Sequence, residues 1–298
     1  MVRSTIQGLL LAGACGLLTA PPLLAQEQPQ ITWLTPDFSL GSGSTLDQKT
    51  MVGPLLDLLR TQWGQGVQQQ VLVVNAKRGW RMLRAGEPVC HLVSLRTPER
   101  EAVAYFVNTH LVPPPQLVVR APTLPQLPLN AAGEVDLERL WRLPRLHGAV
   151  VEGRSYGSRL DALLAQRPAG AMESYAPADF GMRVLQMLAS DRIDYTLDYD
   201  FVLQYQKGLA PALQELVSVP LQGHNEPQLS GIACPRNPWG ARAVQRLRQL
   251  LATPAGIAAL KASFEPGVTA QARARHGARL SAFYEQLAAE LARPIVLD

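Results

Sequence analysis

The feature of this sequence that most constrains its fold is the alternation of short apolar runs with helix-like segments. The runs ITWLTP (31–36), VLVVN (71–75) and residues 89–95 predict strands, and the segments between them, one from about Leu46 to Trp63 and one ending at Arg84, predict helices. VLVVN is apolar throughout, as is typical of a strand buried on both faces of a parallel sheet. The order strand, helix, strand, helix, strand favours a parallel sheet with crossover helices.

The same pattern begins again in the middle of the chain. A strand at residues 116–122 precedes a proline-rich break, after which the candidate strands HGAVVEG, RIDYTLDY and ELVSVPL alternate with helical segments. The segment LSGIACP then leads into a helical region from about Trp239 to Ala292. Two such α/β units predict two lobes, and the ligands of two-lobed proteins usually bind in the cleft between them.

The N-terminus has the pattern of a secretory signal peptide. Arg3 supplies the positive charge, IQGLLLAGACGLLTA the apolar core, and PPLLA a small residue that allows cleavage after Ala25. Pro21 and Pro22 end the apolar run before it reaches the ~20 residues that a membrane-spanning helix needs. A lipoprotein acylated at Cys15 fits less well. We therefore expect a protein exported to a bacterial periplasm.

Export also bears on the two cysteines that remain after cleavage, Cys90 and Cys234. In an oxidising compartment, a disulfide between them is the default expectation. It would close a loop of more than a hundred residues and stabilise the fold by up to ~4–5 kcal/mol. Two buried free thiols are the alternative.

The composition argues against several other classes of protein. The 28 basic and 24 acidic residues give a net charge of +4 and are scattered, so no basic face for nucleic acid is predicted. The five histidines form no close pair and no metal-binding motif, and the nucleophile motif G-x-S-x-G does not occur. No metal, cofactor or catalytic residue is therefore predicted.

The stretch CHLVSLRTPEREAVAYF contains a helix start with an unusual arginine. Thr97 suits the N-cap and Pro98 the first helical position, so we predict a helix that continues into AVAYF. Arg100 lies in its first turn, where the helix dipole disfavours a cation. The arginine therefore either points into solvent, paired with Glu99 or Glu101, or meets an anion.

The order of five segments resembles a known family. SLRTPEREAVAYF, QLVVR, VVEGRSYGSRLDALL, SDRIDYTLDYDFVLQY and GIACPRNPWG follow one another as in the family 3 periplasmic solute-binding proteins, the substrate-binding components of ABC transporters. With its two cysteines, the chain resembles a less characterised branch of them. The resemblance implies an α/β, two-lobed type II periplasmic-binding-protein fold, in which mostly parallel sheets are flanked by helices. Lobe 1 would comprise residues 26–117 and 225–298, including the helical C-terminal region, and lobe 2 residues 118–224.

The resemblance also implies a ligand site. Arg100 matches the arginine that binds the carboxylate of the ligand in amino-acid binders, and Thr97 matches the threonine before it. In lobe 2, the turn with Arg154, Ser155 and Tyr156 matches the segment that completes the site. Ser155 could cap the following helix, and the backbone N–H groups behind it could bind an anion.

One departure from the family concerns the ammonium group of an amino-acid ligand. In amino-acid binders of the family an aspartate binds this group, but the matching position here is Tyr199, with Asp198 and Asp200 on either side. Two positions before Thr97, where the family usually has a serine, this chain has Leu95. A one-residue bulge would restore an aspartate. Without it, the cleft fits a carboxylate or another small anion as well as an amino acid.

Two aromatic residues after the first strand are further candidates. Trp33 and Phe38 could stack on an apolar part of the ligand, and Asp37 between them could bind a positive group. A place for Trp33 in the core is the alternative.

The function that the resemblance implies is capture of a small anionic or amino-acid-like solute and its delivery to an ABC permease by a monomeric protein. Two alternatives stay open: an orphan binding or sensory module of the envelope, and a periplasmic enzyme similar to the cyclohexadienyl dehydratases. The enzyme would need an acid or base in the cleft, for which Glu173 is the candidate.

Overall fold

A computed structural model describes residue 1 and residues 30–36, 51–177 and 181–295 of the chain, with only the backbone of Leu209. The predicted signal peptide, with Cys15 and the cleavage position after Ala25, lies outside these residues. So do the candidate ligand residues Asp37 and Phe38.

The strands and helices alternate as the sequence predicts, with two short 3₁₀ helices besides. The strands are β1 (Gln30–Thr35), β2 (Gln68–Val73), β3 (Val89–Leu95), β4 (Ala104–Val112), β5 (Gln116–Arg120), β6 (Gly148–Val151), β7 (Met172–Tyr175), β8 (Tyr195–Asp198), β9 (Leu216–Val219) and β10 (Gln228–Pro235). The helices are α1 (Gly53–Gln62), α2 (Ala76–Arg84), α3 (Pro98–Glu101), α4 (Leu137–Leu140), α5 (Ser158–Ala165), α6 (Met182–Ala189), α7 (Asp200–Leu209), α8 (Pro238–Leu251), α9 (Pro254–Phe264) and α10 (Ala270–Ala292).

The strands form two five-stranded sheets of the same design. The first has the order β2-β1-β3-β10-β4 and the second the order β7-β6-β8-β5-β9. In each sheet the fourth strand is antiparallel to its neighbours, because β10 and β5 enter from the other half of the chain. The pairings of β1 and of β6 with their neighbours are parallel. We call the part of the protein around the first sheet lobe 1 and the part around the second lobe 2.

Besides β4, which is described below, two strands differ from the prediction. β2 is the edge strand of its sheet, and its residues are exposed or half-buried, so the expectation that VLVVN is buried on both faces is wrong. The strand also starts earlier than predicted, at Gln68, because backbone pairing with β1 extends along its glutamines. β7 was not predicted at all, since its sequence MESY has no apolar run.

The helix predicted at Thr97 begins as expected but is only one turn long. The Thr97 side chain accepts a hydrogen bond from the Arg100 N–H, as an N-cap does. The prediction that the helix continues into AVAYF is wrong, because these residues start β4 and pair with β10. Only a weak dipole is therefore available to Arg100 from α3.

The largest apolar core lies in lobe 1, between the first sheet and helices α1, α8, α9 and α10. Trp33 is completely buried in it, with its indole N–H donating to Gln69 and its ring 4.9 Å from that of Trp63. The predicted disulfide between Cys90 and Cys234 is present, and it joins β3 to β10 within this core. None of the helices in the described ranges is both long and apolar enough to cross a membrane.

Candidate functional site

A cavity of about 50 Å³ lies where the two lobes face each other. Its described lining is largely apolar and includes two guanidinium groups, Arg100 from lobe 1 and Arg154 from lobe 2, and the serines Ser94, Ser155 and Ser230. Pockets that enclose a ligand usually measure ~300–1,000 Å³, whereas this space suits a few water molecules. The lobes are therefore closed on each other in this structure.

Arg100 is held at this cavity by contacts with both lobes. Its Nη1 donates to the Leu95 carbonyl at 3.1 Å, and its guanidinium lies 4.5 Å from the centre of the Trp80 ring. Its Nη2 is 3.5 Å from the Gly153 carbonyl of lobe 2. Burial lowers the pKa of Arg100 to about 10, so the group stays charged at neutral pH.

The alternative role for Arg100 is that of a solvent-facing residue paired with Glu99 or Glu101. Glu101 pairs instead with Arg96 on the surface. Among the described ion pairs there is none between Arg100 and Glu99 or Glu101. The geometry therefore favours an inward role for Arg100 over a solvated one.

The turn 153–157 of lobe 2 directs most of its polar groups towards its own helix. The Ser155 hydroxyl donates to Asp161, and the Tyr156 N–H donates to the same carboxylate at 2.7 Å. The Gly157 N–H donates to the Ser155 oxygen at 3.1 Å. Burial raises the pKa of Asp161. The groups that were expected to face an anion are thus engaged with α5, although Ser155 does line the cavity.

Arg154 forms a buried ion pair with Asp198. The two groups are 2.6 Å apart, and their side chains are 4% and 3% exposed. Asp198 also accepts the Tyr199 N–H at 2.7 Å. Burial alone would lower the pKa of Arg154, but the Asp198 carboxylate outweighs this effect and the pKa is raised. The sequence predicted both residues at the site but not that they pair.

Tyr199 fills the space between the lobes. Its ring lies 5.1 Å from the Arg154 guanidinium, and its hydroxyl donates to the Ser155 carbonyl at 3.4 Å. Burial raises its pKa. With Val202 it packs against Leu95 of lobe 1 in an apolar cluster that spans the interface. Burial of this apolar surface stabilises the closed arrangement.

Polar contacts add to this closure. The Gln228 side chain on β10 donates to the Tyr156 carbonyl at 2.8 Å. Lys77 at the start of α2 forms an exposed ion pair with Glu152 of lobe 2 at 2.7 Å. Exposed pairs of this kind contribute only ~0–1 kcal/mol. The Gln228 contact, which is partly buried, is therefore the more important of the two.

A second and larger cavity, of about 940 Å³, lies next to the first. It runs between α7, β9 and the residues that connect α9 to α10. Met51 and Phe201 line both cavities and therefore separate them. A solute in the smaller cavity would meet these two apolar side chains on this side.

The remaining predicted residues lie outside the described lining of the small cavity. Thr97 caps α3, Tyr156 is buried with its hydroxyl accepting the Val151 N–H, and Trp33 belongs to the core of lobe 1. Glu173, the candidate for an enzymatic role, is an exposed residue of β7 that accepts a hydrogen bond from Tyr175.

Sequence reasoning missed most of the described cavity lining, including Trp80, Ser94, Phe201 and Ser230, and it also missed Gln228 and Asp161 nearby. Trp80 and Gln228 have no local signal, because they reach the interface only through the packing of α2 and β10. Asp161 did have one, since an acidic residue in the first helical turn after a serine is a common partner in N-terminal capping. Across the described ranges, His, Cys, Asp and Glu form no group of three that could hold a metal ion.

Comparisons with known proteins bear on the fold. No protein-family model matches the chain, and no curated protein matches its sequence. Among solved structures, the arginine-, lysine-, histidine-binding protein ArtJ of Geobacillus stearothermophilus has a TM-score of 0.58 and 13% identity, covering 79% of this chain and 95% of that one. The ancestral amino-acid-binding protein AncCDT-1, a precursor of cyclohexadienyl dehydratase, has a TM-score of 0.57 and 16% identity, covering 80% and 96%.

A third similar structure is the sensor domain of a histidine kinase with similarity to periplasmic binding proteins. It has a TM-score of 0.53 and 14% identity, and the match covers 89% of this chain and 96% of that one. Identities this low establish the fold and leave the ligand open. The two matching sheet orders and the coverage of these neighbours show that the chain has the two-lobed type II periplasmic-binding-protein fold.

Proposed function

We propose that this protein is a periplasmic solute-binding protein that closes its two lobes around a small anion and delivers it to an ABC permease. The observation that carries the proposal is the pair of guanidinium groups, one from each lobe, at a single inter-lobe cavity. A planar guanidinium forms two parallel hydrogen bonds with a carboxylate, which gives both affinity and orientation.

The closure that the proposal needs follows from the position of Arg100. Its guanidinium contacts lobe 1 through Leu95 and Trp80 and reaches the Gly153 carbonyl of lobe 2 only when the lobes meet. An anion bound to Arg100 would contact lobe 2 only in that same arrangement. Such a ligand stabilises the closed state by its higher affinity for it.

The first test is a thermal-shift screen of the oxidised protein against small carboxylates, amino acids and short peptides. A ligand at a hundred times its dissociation constant should add ~2.7 kcal/mol of apparent stability. A response to one chemical class supports the proposal. No response to any member of the panel contradicts it.

A substitution then tests the role of Arg100. Arg100→Ala should weaken binding of the best carboxylate from the screen by about 2 kcal/mol, roughly thirtyfold, because it removes a charge-assisted contact. The measurement is calorimetric titration. Arg78→Ala is the matched control, since Arg78 is an exposed arginine in the first turn of α2 and outside the described cavity lining. Equal affinities for both variants would exclude Arg100 as the carboxylate-binding residue.

A second candidate function is a sensory module of the envelope. The small size of the cavity favours it, because the chain's own side chains already hold the lobes together. The similarity to a histidine kinase sensor domain is consistent with this candidate. Small-angle scattering separates the two: a transport protein should be open without solute and close with it, whereas a sensor held closed by its own contacts should scatter alike in both states.

A further inference from the structure

We propose that the cleft selects small carboxylates that carry no α-ammonium group, and that Arg154 enforces this selection by occupying the carboxylate of Asp198. This inference rests on the proposed function, because it specifies the class of solute for the same site. It follows from which charged groups reach the cavity and which are already bound.

The charges at the cavity wall favour an anion over a cation. Its described lining contains two guanidinium groups, Arg100 and Arg154, and no aspartate or glutamate. A carboxylate placed there meets opposite charge. An ammonium group placed there meets like charge and loses its hydration without gaining a charged partner, which is strongly unfavourable.

Asp198 is the carboxylate that pairs with one of these guanidinium groups, Arg154. Its Oδ1 accepts hydrogen bonds from Arg154 at 2.6 Å and from the Tyr199 N–H at 2.7 Å. Arg154 lines the cavity and Asp198 does not, within the described residues. Of the two partners, Arg154 therefore reaches the cavity and Asp198 does not. Its guanidinium already makes the hydrogen bond to Asp198 Oδ1 that an ammonium group would need.

Asp161 is a carboxylate whose charge acts on Arg100, as does that of the exposed Glu99. Asp161 accepts the Ser155 hydroxyl and the Tyr156 N–H, which orders the turn before α5. An ammonium group could reach it only by breaking that turn. An ammonium group would therefore have to compete with Arg154 for Asp198, and with the turn before α5 for Asp161.

The rest of the wall specifies the other end of the solute. Trp80, Val93, Val112 and Phe201 are among its apolar members, and Phe201 separates it from the larger cavity. These surfaces suit a short hydrocarbon tail, for which the cavity of about 50 Å³ has to widen by a small separation of the lobes. The solute class is thus a monocarboxylate with a small apolar substituent, bound through Arg100.

The test uses two pairs of compounds that differ only by the α-ammonium group: propionate with L-alanine, and 3-methylbutanoate with L-valine. Each is titrated calorimetrically at pH 7 into the protein with its disulfide intact. We expect each carboxylate to bind at least tenfold more tightly than its amino acid. Propionamide is the control for charge and should bind no better than alanine.

Two variants test the role of Arg154. Arg154→Met removes the guanidinium and leaves Asp198 free to pair with an ammonium group. The affinity for alanine relative to that for propionate should therefore rise at least tenfold. The double variant Arg154→Met with Asp198→Asn removes both charges and should retain the preference for propionate. Because the single variant leaves a buried unpaired charge and can fail to fold, the comparison in the unmodified protein decides the solute class by itself.

The outcomes separate this inference from the proposed function. If the unmodified protein binds alanine or valine as tightly as the matching carboxylate, the inference is wrong while the solute-binding function stands. If Arg154→Met folds and leaves the preference unchanged, Arg154 is not its cause. If none of the four compounds binds, the inference is wrong, and the wider panel of carboxylates, amino acids and peptides then decides the proposed function.

Discussion

At the residue scale, two histidines in lobe 1 are buried in their neutral form. His91 on β3 is 5% exposed and lies 3.1 Å from the Ser94 hydroxyl, and His110 on β4 is 5% exposed and lies 2.9 Å from the Thr109 hydroxyl. Burial lowers the pKa of each to about 3, and for His91 the charge of Arg100 adds to the effect. Neither side chain therefore becomes protonated in the folded protein at pH 5.

This predicts a loss of stability in mild acid. Since the folded pKa of each histidine lies below its ordinary value of 6.5, the unfolded chain binds more protons between about pH 6.5 and 3, and stability falls as the pH decreases through that window. Each should contribute a loss of roughly 2 kcal/mol between pH 7 and pH 5. The measurement is urea unfolding at both pH values.

A pair of substitutions assigns the effect to burial. His110→Asn should reduce the loss between pH 7 and pH 5 by roughly 2 kcal/mol, because one of the two buried imidazoles is gone. His147→Asn changes an exposed histidine and should leave the loss as it is. The same pH dependence in both variants would contradict this account.

Individual residues show where prediction from sequence stops. Arg100 could be identified because a threonine, a proline and an arginine at fixed spacing are visible in the sequence. The pair of Arg154 and Asp198 could not, because 44 residues separate the partners and only the meeting of β8 with the turn after β6 brings them together. The distinction matters, since we propose that this pair, more than Arg100, excludes solutes with an ammonium group.

At the scale of elements, the turn 153–157 connects the lobes as much as it shapes the site. Gly157 has a φ of +98° and lies against the Gln228 side chain, so that a Cβ at this position would overlap the Gln228 amide. The same amide donates to the Tyr156 carbonyl. A glycine is thus required both for the backbone conformation and for the close approach of β10.

Substitution of this glycine should open the lobes. Gly157→Ala should cost about 1–3 kcal/mol of backbone strain and should also displace Gln228, which breaks its hydrogen bond to lobe 2. We expect a larger radius of gyration by small-angle scattering. Gly170→Ala is the matched control, since Gly170 has a φ of +81° and no neighbour within 4 Å of a Cβ. Equal radii for the two variants would show that the turn does not hold the lobes together.

Elements also differ in how far the sequence predicts them. Strands β3 and β5 begin where their apolar runs predict, because those runs are bounded by proline or polar residues. The run AVAYF has a helix-like pattern, and only pairing of β4 with the distant β10 makes it a strand. The four residues of β7 carry little apolar character, and it is their pairing with β6 that makes them a strand.

At the scale of the whole molecule, the disulfide has a topological consequence. Cys90 and Cys234 lie 144 residues apart on β3 and β10, which also pair with each other in the first sheet. The loop that they close contains every strand of the second sheet. The bond therefore ties β3 to β10, the strand on which the chain returns from lobe 2, and β4, from which the chain leaves lobe 1, lies inside the closed loop.

Removal of this bond should destabilise the fold and leave the site intact. In the chain-entropy model, a closed loop of this length stabilises the fold by about 5 kcal/mol, so Cys90→Ala with Cys234→Ala should lower the free energy of unfolding by a similar amount. Both sulfurs are completely buried in the core of lobe 1, so loss of packing adds to the effect.

Urea unfolding measures the change in stability of the double variant, and titration of propionate measures the affinity of its site. Because the disulfide lies in the core and not among the described residues of the inter-lobe cavity, the affinity should change less than threefold at a urea concentration where both proteins are folded. A large loss of affinity with little loss of stability would instead place the disulfide in the mechanism of closure.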